Sequence, residues 1–275
     1  LSISDGIQES GGTWGLTKVG NGTLTLVGNN SYGGSTTVQS GTLSIAGSGT
    51  RSAGASIDVV SGATLNINNV SLDTPTLTIA GTGVGAAGAL TGSGASASYN
   101  HAVTLTNNAS IGGTGTLSIS DGIQESGGPW GLTKTGVGTL QLMGSSAYTG
   151  GTRITDGILS LASGASLPTD RDVTISGKDA KLNLNGTTQQ IGTLSSGSLT
   201  EGGAIDLGTG TLTINQTADR SFVGTISGAT GSLIKQGGGV LTLSGSNTYG
   251  GSTTVQSGTL SIAGTGTRSA GASID

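Results

Sequence analysis

The chain has 275 residues, 55 of them Gly, with 32% hydrophobic, 9% charged and 3% aromatic residues, three prolines, no cysteine and a net charge of −4. Its apolar content and low charge argue against disorder, and the lack of Gly at every third position with so little Pro excludes collagen. The acidic balance excludes a nucleic-acid binder, the absence of an 18-residue apolar run excludes a membrane-spanning helix, and the lack of cysteine excludes disulfides.

Taken in chain order, short alternating runs dominate. Thr23-Leu24-Thr25-Leu26, Thr42-Leu43-Ser44-Ile45, Thr64-Leu65-Asn66-Ile67 and Thr76-Leu77-Thr78-Ile79 come first, followed by Val103-Thr104-Leu105 and Thr116-Leu117-Ser118-Ile119. Val173-Thr174-Ile175, Leu182-Asn183-Leu184 and Thr211-Leu212-Thr213-Ile214 continue the pattern. A period of two places aliphatic side chains on one face and small polar ones on the other. Each run is bounded by Gly, Asn, Asp or Ser, the residues that take turns and positive φ. Residues 85–97 come closest to a helical composition, but each glycine costs a helix about 1 kcal/mol, so this stretch reads as a loop with one weak strand around Leu90.

Two stretches are written twice. Residues 1–18 return at 117–134 with Thr13 replaced by Pro129, and residues 31–58 return at 248–275 with changes only at Ser31/Thr248 and Ser48/Thr265. Self-similarity of this kind marks a stacked repeat architecture, in which each coil touches only its neighbours. Asn21-Gly22 and Asn185-Gly186 leave local antiparallel hairpins open. A sandwich core, however, would need more aromatic volume than one Phe supplies. The fold predicted is therefore all-β, a single-stranded parallel β-helix of about twelve coils, forming a rod roughly 55–60 Å long. The two offsets lead us to expect that the block 59–116 recurs outside this window, within a longer array.

Three segments share one template. An aliphatic-x-Lys (Leu16/Lys18, Leu132/Lys134, Leu233/Lys235) precedes a Gly-x-Gly pair and then Leu-x-Leu: Leu24/Leu26, Leu140/Leu142, Leu241/Leu243. A Gly follows, with a Tyr four residues on (Tyr32, Tyr148, Tyr249), then Gly and Thr, then Val38, Ile154 or Val255. The template closes on Gly-x-Leu-x-Ile/Leu from Gly41, Gly157 and Gly258, which includes Leu43 and Leu260. It closely resembles the autotransporter-associated β-strand repeat, also called the passenger-associated transport repeat, with copies near 14–46, 130–162 and 231–263. The resemblance implies a right-handed β-helix exported through an outer-membrane barrel and displayed outside a Gram-negative-type bacterium. Residues 1–275 then form one continuous β-solenoid segment of a longer repeat protein. The reading that follows is a structural or adhesive role with a surface glycan or protein as ligand, and the unpaired strand edges of open solenoid ends add solenoid-to-solenoid contacts that form a homo-oligomer or fibre.

Candidate chemistry is sparse. His101 is the single histidine, so no zinc site is expected, and no nucleophile-elbow motif surrounds it. Asp156, Asp170, Asp172 and Asp179, with Arg153 and Arg171, form the densest charged cluster. Paired carboxylates there would suit a polysaccharide-active β-helix enzyme, whereas solvated turn residues are the favoured reading. No catalytic, metal or cofactor residue is assigned. The tyrosines are expected to pack at corners, and Trp14 and Trp130 to plug the core.

Overall fold

A computed structural model describes residues 1–47 and 56–263. The remainder of the second duplicated segment, 48–55 and 264–275, lies outside the described residues. Among the described residues every strand pairing is parallel, and the strands fall into three columns that form the faces of a β-solenoid. The described residues are all-β apart from one 3₁₀ turn, Val84–Ala86.

The first face runs through Ser2–Ile3, Thr23–Leu26, Thr42–Ile45, Thr64–Asn68, Leu90–Ser93 and the end of Val103–Gly113. It continues through Leu132–Lys134, Thr152–Ile154, Val173–Ile175 and Leu194–Ser195. There Ser196 N–H donates to Ser221 O (3.1 Å), carrying the column to Arg220–Phe222, Val240–Leu243 and Thr259–Ile262. Twelve coil-to-coil steps of about 4.8 Å give a rod of roughly 58 Å. The second face holds eight strands from Ser71–Leu72 to Thr225–Ser227. The third begins with Leu16–Lys18 and passes through Ile123–Glu125. A single bridge, Ser145 with Ser166, stands in for strands there. The face then resumes with Gln189–Ile191, Thr211–Asn215, Ser232–Gln236 and Thr253–Val255.

The alternation read from sequence produces the core directly. On the second face Leu117, Leu140, Leu159, Leu182, Ile205 and Ile226 stand directly above one another in register, and all are buried. Each such side chain contributes about 1.5–3 kcal/mol by leaving water. The outward residues of the same rungs, including Ser118, Gln141, Ser160, Asn183 and Asp206, form a polar ladder. Neither Asn-Gly pair makes a hairpin. Asn185, at φ 48°, turns a corner between parallel strands while its Nδ2 donates to Ser160 Oγ and Leu161 O, both at 2.8 Å. Leu90–Ser93 is a strand of the first face.

Leu159→Ala, which opens a cavity in the middle of the second-face column, is expected to cost about 2–5 kcal/mol, read by chemical denaturation. A cost below 0.5 kcal/mol would contradict the column.

Candidate functional site

The repeated template folds into one recurring device. Its lysine lies on an inward position of a strand and is buried in all three copies: Lys18, Lys134 and Lys235. Lys134 Nζ donates to Thr135 O (2.8 Å) and Gly136 O (2.6 Å) at its own corner, and to Asp156 O (3.0 Å) at the corner of the next coil. Lys18 does the same with Val19 O, Gly20 O and Ser40 O at 3.0, 2.7 and 2.9 Å. Lys235 bonds Gln236 O, Gly237 O and Ser257 O at 2.8, 2.8 and 3.0 Å. An ammonium carries three donors and no acceptor, so three corner carbonyls use it fully. These charge-assisted bonds tie each template corner to the one above it.

The closing glycine is what lets the corner approach. Gly157 has φ 60°, and a Cβ there would lie 2.4 Å from both Gly136 O and Gly138 O and 2.8 Å from Lys134 Nζ. Gly41 and Gly258 meet the same carbonyls and amines of their own copies. This position therefore admits only glycine.

A second element covers the face on which the template has no strand. Two residues before each tyrosine stands a buried polar side chain: Asn30, Ser146 or Asn247. Asn30 Oδ1 accepts Ile7 N–H (3.0 Å), Ser146 Oγ accepts Ile123 N–H (3.1 Å) and Asn247 Oδ1 accepts Ile226 N–H (3.0 Å). The side chain thus replaces a missing rung bond. Each tyrosine hydroxyl then pairs with the threonine four residues on: Tyr32 with Thr36 (2.9 Å), Tyr148 with Thr152 (2.6 Å) and Tyr249 with Thr253 (2.7 Å).

The template residues named from sequence sit as follows. Leu26, Val38, Leu43, Leu140, Leu142, Tyr148, Ile154, Leu241, Leu243 and Tyr249 are buried, while Leu24, Tyr32, Val255 and Leu260 are partly buried. The lysines were visible in the template without their role. The Asn/Ser position was missed, although its fixed place before the tyrosine was a usable signal.

The other candidates are taken up in local contacts, although Arg153 and Asp172 line one shared groove. Asp156 Oδ1 accepts Gly157 N–H (2.8 Å), Asp172 Oδ1 accepts Thr193 N–H (3.0 Å), and Asp179 pairs with Lys178. Asp170 Oδ1 accepts from Gln190 Nε2 (3.0 Å) and Asn215 Nδ2 (3.2 Å). These carboxylates each secure a turn or neighbouring coils. His101 Nε2 lies 2.7 Å from Asp73 Oδ1 at the surface. No group of metal-ligating residues occurs among the described residues, and no helix there is long and apolar enough to cross a membrane. The core-plug expectation fails for Trp14, which is 62% exposed, while Trp130 is partly buried and donates Nε1–H to Ser126 O (2.9 Å). In both copies a carboxylate, Glu9 or Glu125, accepts the tryptophan backbone N–H (2.9 and 2.8 Å), closing the loop on itself at a corner. The aliphatic columns already fill the interior.

These features define a parallel β-solenoid whose repeats are locked by buried side chains at their corners. Residues 16–45, 132–161 and 233–262 match the passenger-associated-transport-repeat family, so the chain carries three copies of that repeat. It is also 32% identical over 257 residues, 90% of its length, to the adhesin BmaC autotransporter of Brucella suis biovar 1 (strain 1330). It spans 7% of that protein. No solved structure matches.

Burial pushes the Lys134 amine down to about 8 from 10.5, with Asp156 pulling the other way. Between those values the unfolded chain holds a proton that the folded chain has released, so on this group's account stability rises with pH. Burial raises Tyr99 to about 12 and raises Tyr148 as well, from 10.0. Above 10 the folded chain keeps protons that the unfolded chain loses, and stability falls. Denaturation midpoints should therefore climb from pH 8 and turn over near 10. Lys134→Met should flatten the climb to what Lys235, whose amine burial also pushes down, still contributes, and, by orphaning carbonyls, cost about 2–3 kcal/mol at pH 7.

Proposed function

We propose that the chain is a stiff, adhesive stalk segment of a bacterial surface fibre, one continuous solenoid within a longer repeat protein. The observation that carries this reading is the first-face ladder, which runs through every coil from Ser2 to Ile262 with corners clamped at each repeat. A rod built this way transmits load along backbone hydrogen bonds and holds whatever it displays at a fixed distance. The relative's name as an autotransporter adhesin supports surface attachment, and attachment here is a matter of binding without turnover. Self-association through solenoid-to-solenoid contacts belongs to the same proposal, because a solenoid end presents unpaired strand edges that template a neighbour.

Negative-stain images of the native assembly should show unbranched rods, and beads coated with the chain should attach to surfaces that bare beads leave. Isolated globular particles that cleave polysaccharide would overturn the reading in favour of an enzyme.

A further inference from the structure

An open groove lies outside the duplicated segments. It is an open cleft of about 580 Å³ on the first face. Its floor is three outward hydroxyl residues on successive rungs, Ser195, Ser221 and Thr242. One wall is the corner loop 196–203, which leaves the face after Leu194–Ser195. The other is the opposite corner, with Asp219, Arg220 and the start of the next strand at Val240.

The loop is anchored at its base and free at its tip. Ser196 is fully buried, its N–H donates to Ser221 O (3.1 Å), and its Oγ accepts Val223 N–H (2.8 Å). Ser198 Oγ accepts Thr200 N–H (3.2 Å) and Glu201 N–H (3.3 Å), forming a local turn. Leu199, beside it, is 86% exposed and lines the cleft.

Polar capacity is left over on the opposite wall. Asp219 Oδ1 accepts Val240 N–H (2.8 Å), which leaves its second oxygen open, and Arg220 donates Nη1–H to Asp219 O (2.9 Å) while the rest of its planar fork has no carboxylate partner. The two charges are adjacent and cancel, so the cleft carries no net field to select a polyanion. The rung N–H and C=O groups of this face are committed to neighbouring coils, so a peptide cannot add as a strand.

We propose that this cleft binds a neutral oligosaccharide of about two or three units, a ligand of the size such clefts accommodate. Hydroxyls of the sugar exchange hydrogen bonds with the Ser/Thr floor, Asp219 and Arg220 take a vicinal pair of hydroxyls as acceptor and donor, and Leu199 and Val240 cover C–H surface. The inference rests on the adhesive reading and supplies it with a ligand class.

The test is a glycan microarray of neutral and acidic structures, probed with the 275-residue chain and with Asp219→Asn and Arg220→Ala, each checked for an unchanged melting profile. Asn at 219 still accepts Val240 N–H, so the wall stays in place. Neutral glycans should be retained, with affinity falling at least about tenfold in each variant. Retention unaffected by both variants, retention of acidic glycans alone, or no retention would each overturn the proposal. If bead attachment survives in the two variants while glycan binding is absent, the cleft assignment fails and the adhesive function stands.

Discussion

The structure depends on keeping corner carbonyls satisfied without breaking the stack. A solenoid strand pairs its backbone above and below, but each coil must also turn, and at a tight turn carbonyl oxygens point inward with no rung partner. Leaving such groups buried and unpaired costs about 1–3 kcal/mol each. Lys18, Lys134 and Lys235 solve this by placing one ammonium among three corner oxygens, two from one coil and one from the next; of these Gln236 O also accepts the Gln216 N–H (2.9 Å). Isolated buried charge is normally unfavourable. Here full hydrogen bonding offsets part of that cost, and the lowered amine pKa values of Lys134 and Lys235 record what remains.

The clamp also explains the economy of the core. The interior is built from Leu, Ile, Val and small residues, with Phe222, Tyr99, Tyr148 and Tyr249 as its large rings. A cross-section this narrow cannot gain stability through bulk, so it gains it through repetition: columns of like residues in register, rung after rung. Where a face lacks a strand, Asn30, Ser146 and Asn247 close the ladder from their side chains. Stability is thereby spread along the rod.

Alternation, Gly-bounded runs and large-offset duplication made the solenoid legible, because period two and stacking are properties of local sequence. Parallel pairing followed from the duplication, against the local hairpin signal of Asn21-Gly22 and Asn185-Gly186. The clamp was only half legible. By alternation Leu16 and Lys18, like Leu132 and Lys134, fall two apart on the same inward face, but the local sequence does not show what a charged side chain would meet there. The charge is inward because carbonyls await it, two at its own corner and a third from a coil 22 residues away. The tryptophans misled for the converse reason, since ring size suggested the core while the Glu9 and Glu125 carboxylates hold those loops at the surface. The cleft left no sequence signature because its residues meet across three rungs.

What sequence could not reveal at all is direction around the rod. The first and third template copies lay their two strands on the third and first faces, whereas the second copy uses the first and second. The same template is therefore rotated by one face in the middle of the molecule. This is possible because the clamp joins any two adjacent faces, and the Asn/Ser position completes whichever face is left. The near-identical segments 1–18 and 117–134 consequently look out from different corners, whereas the described parts of 31–58 and 248–275 share the same two faces, ten rungs or roughly 48 Å apart. Duplication in sequence thus becomes two distinct things in space, one loop shown in two directions and one strip shown twice along a single side. A template that is indifferent to azimuth lets a long rod reuse a few sentences of sequence and still present a varied surface.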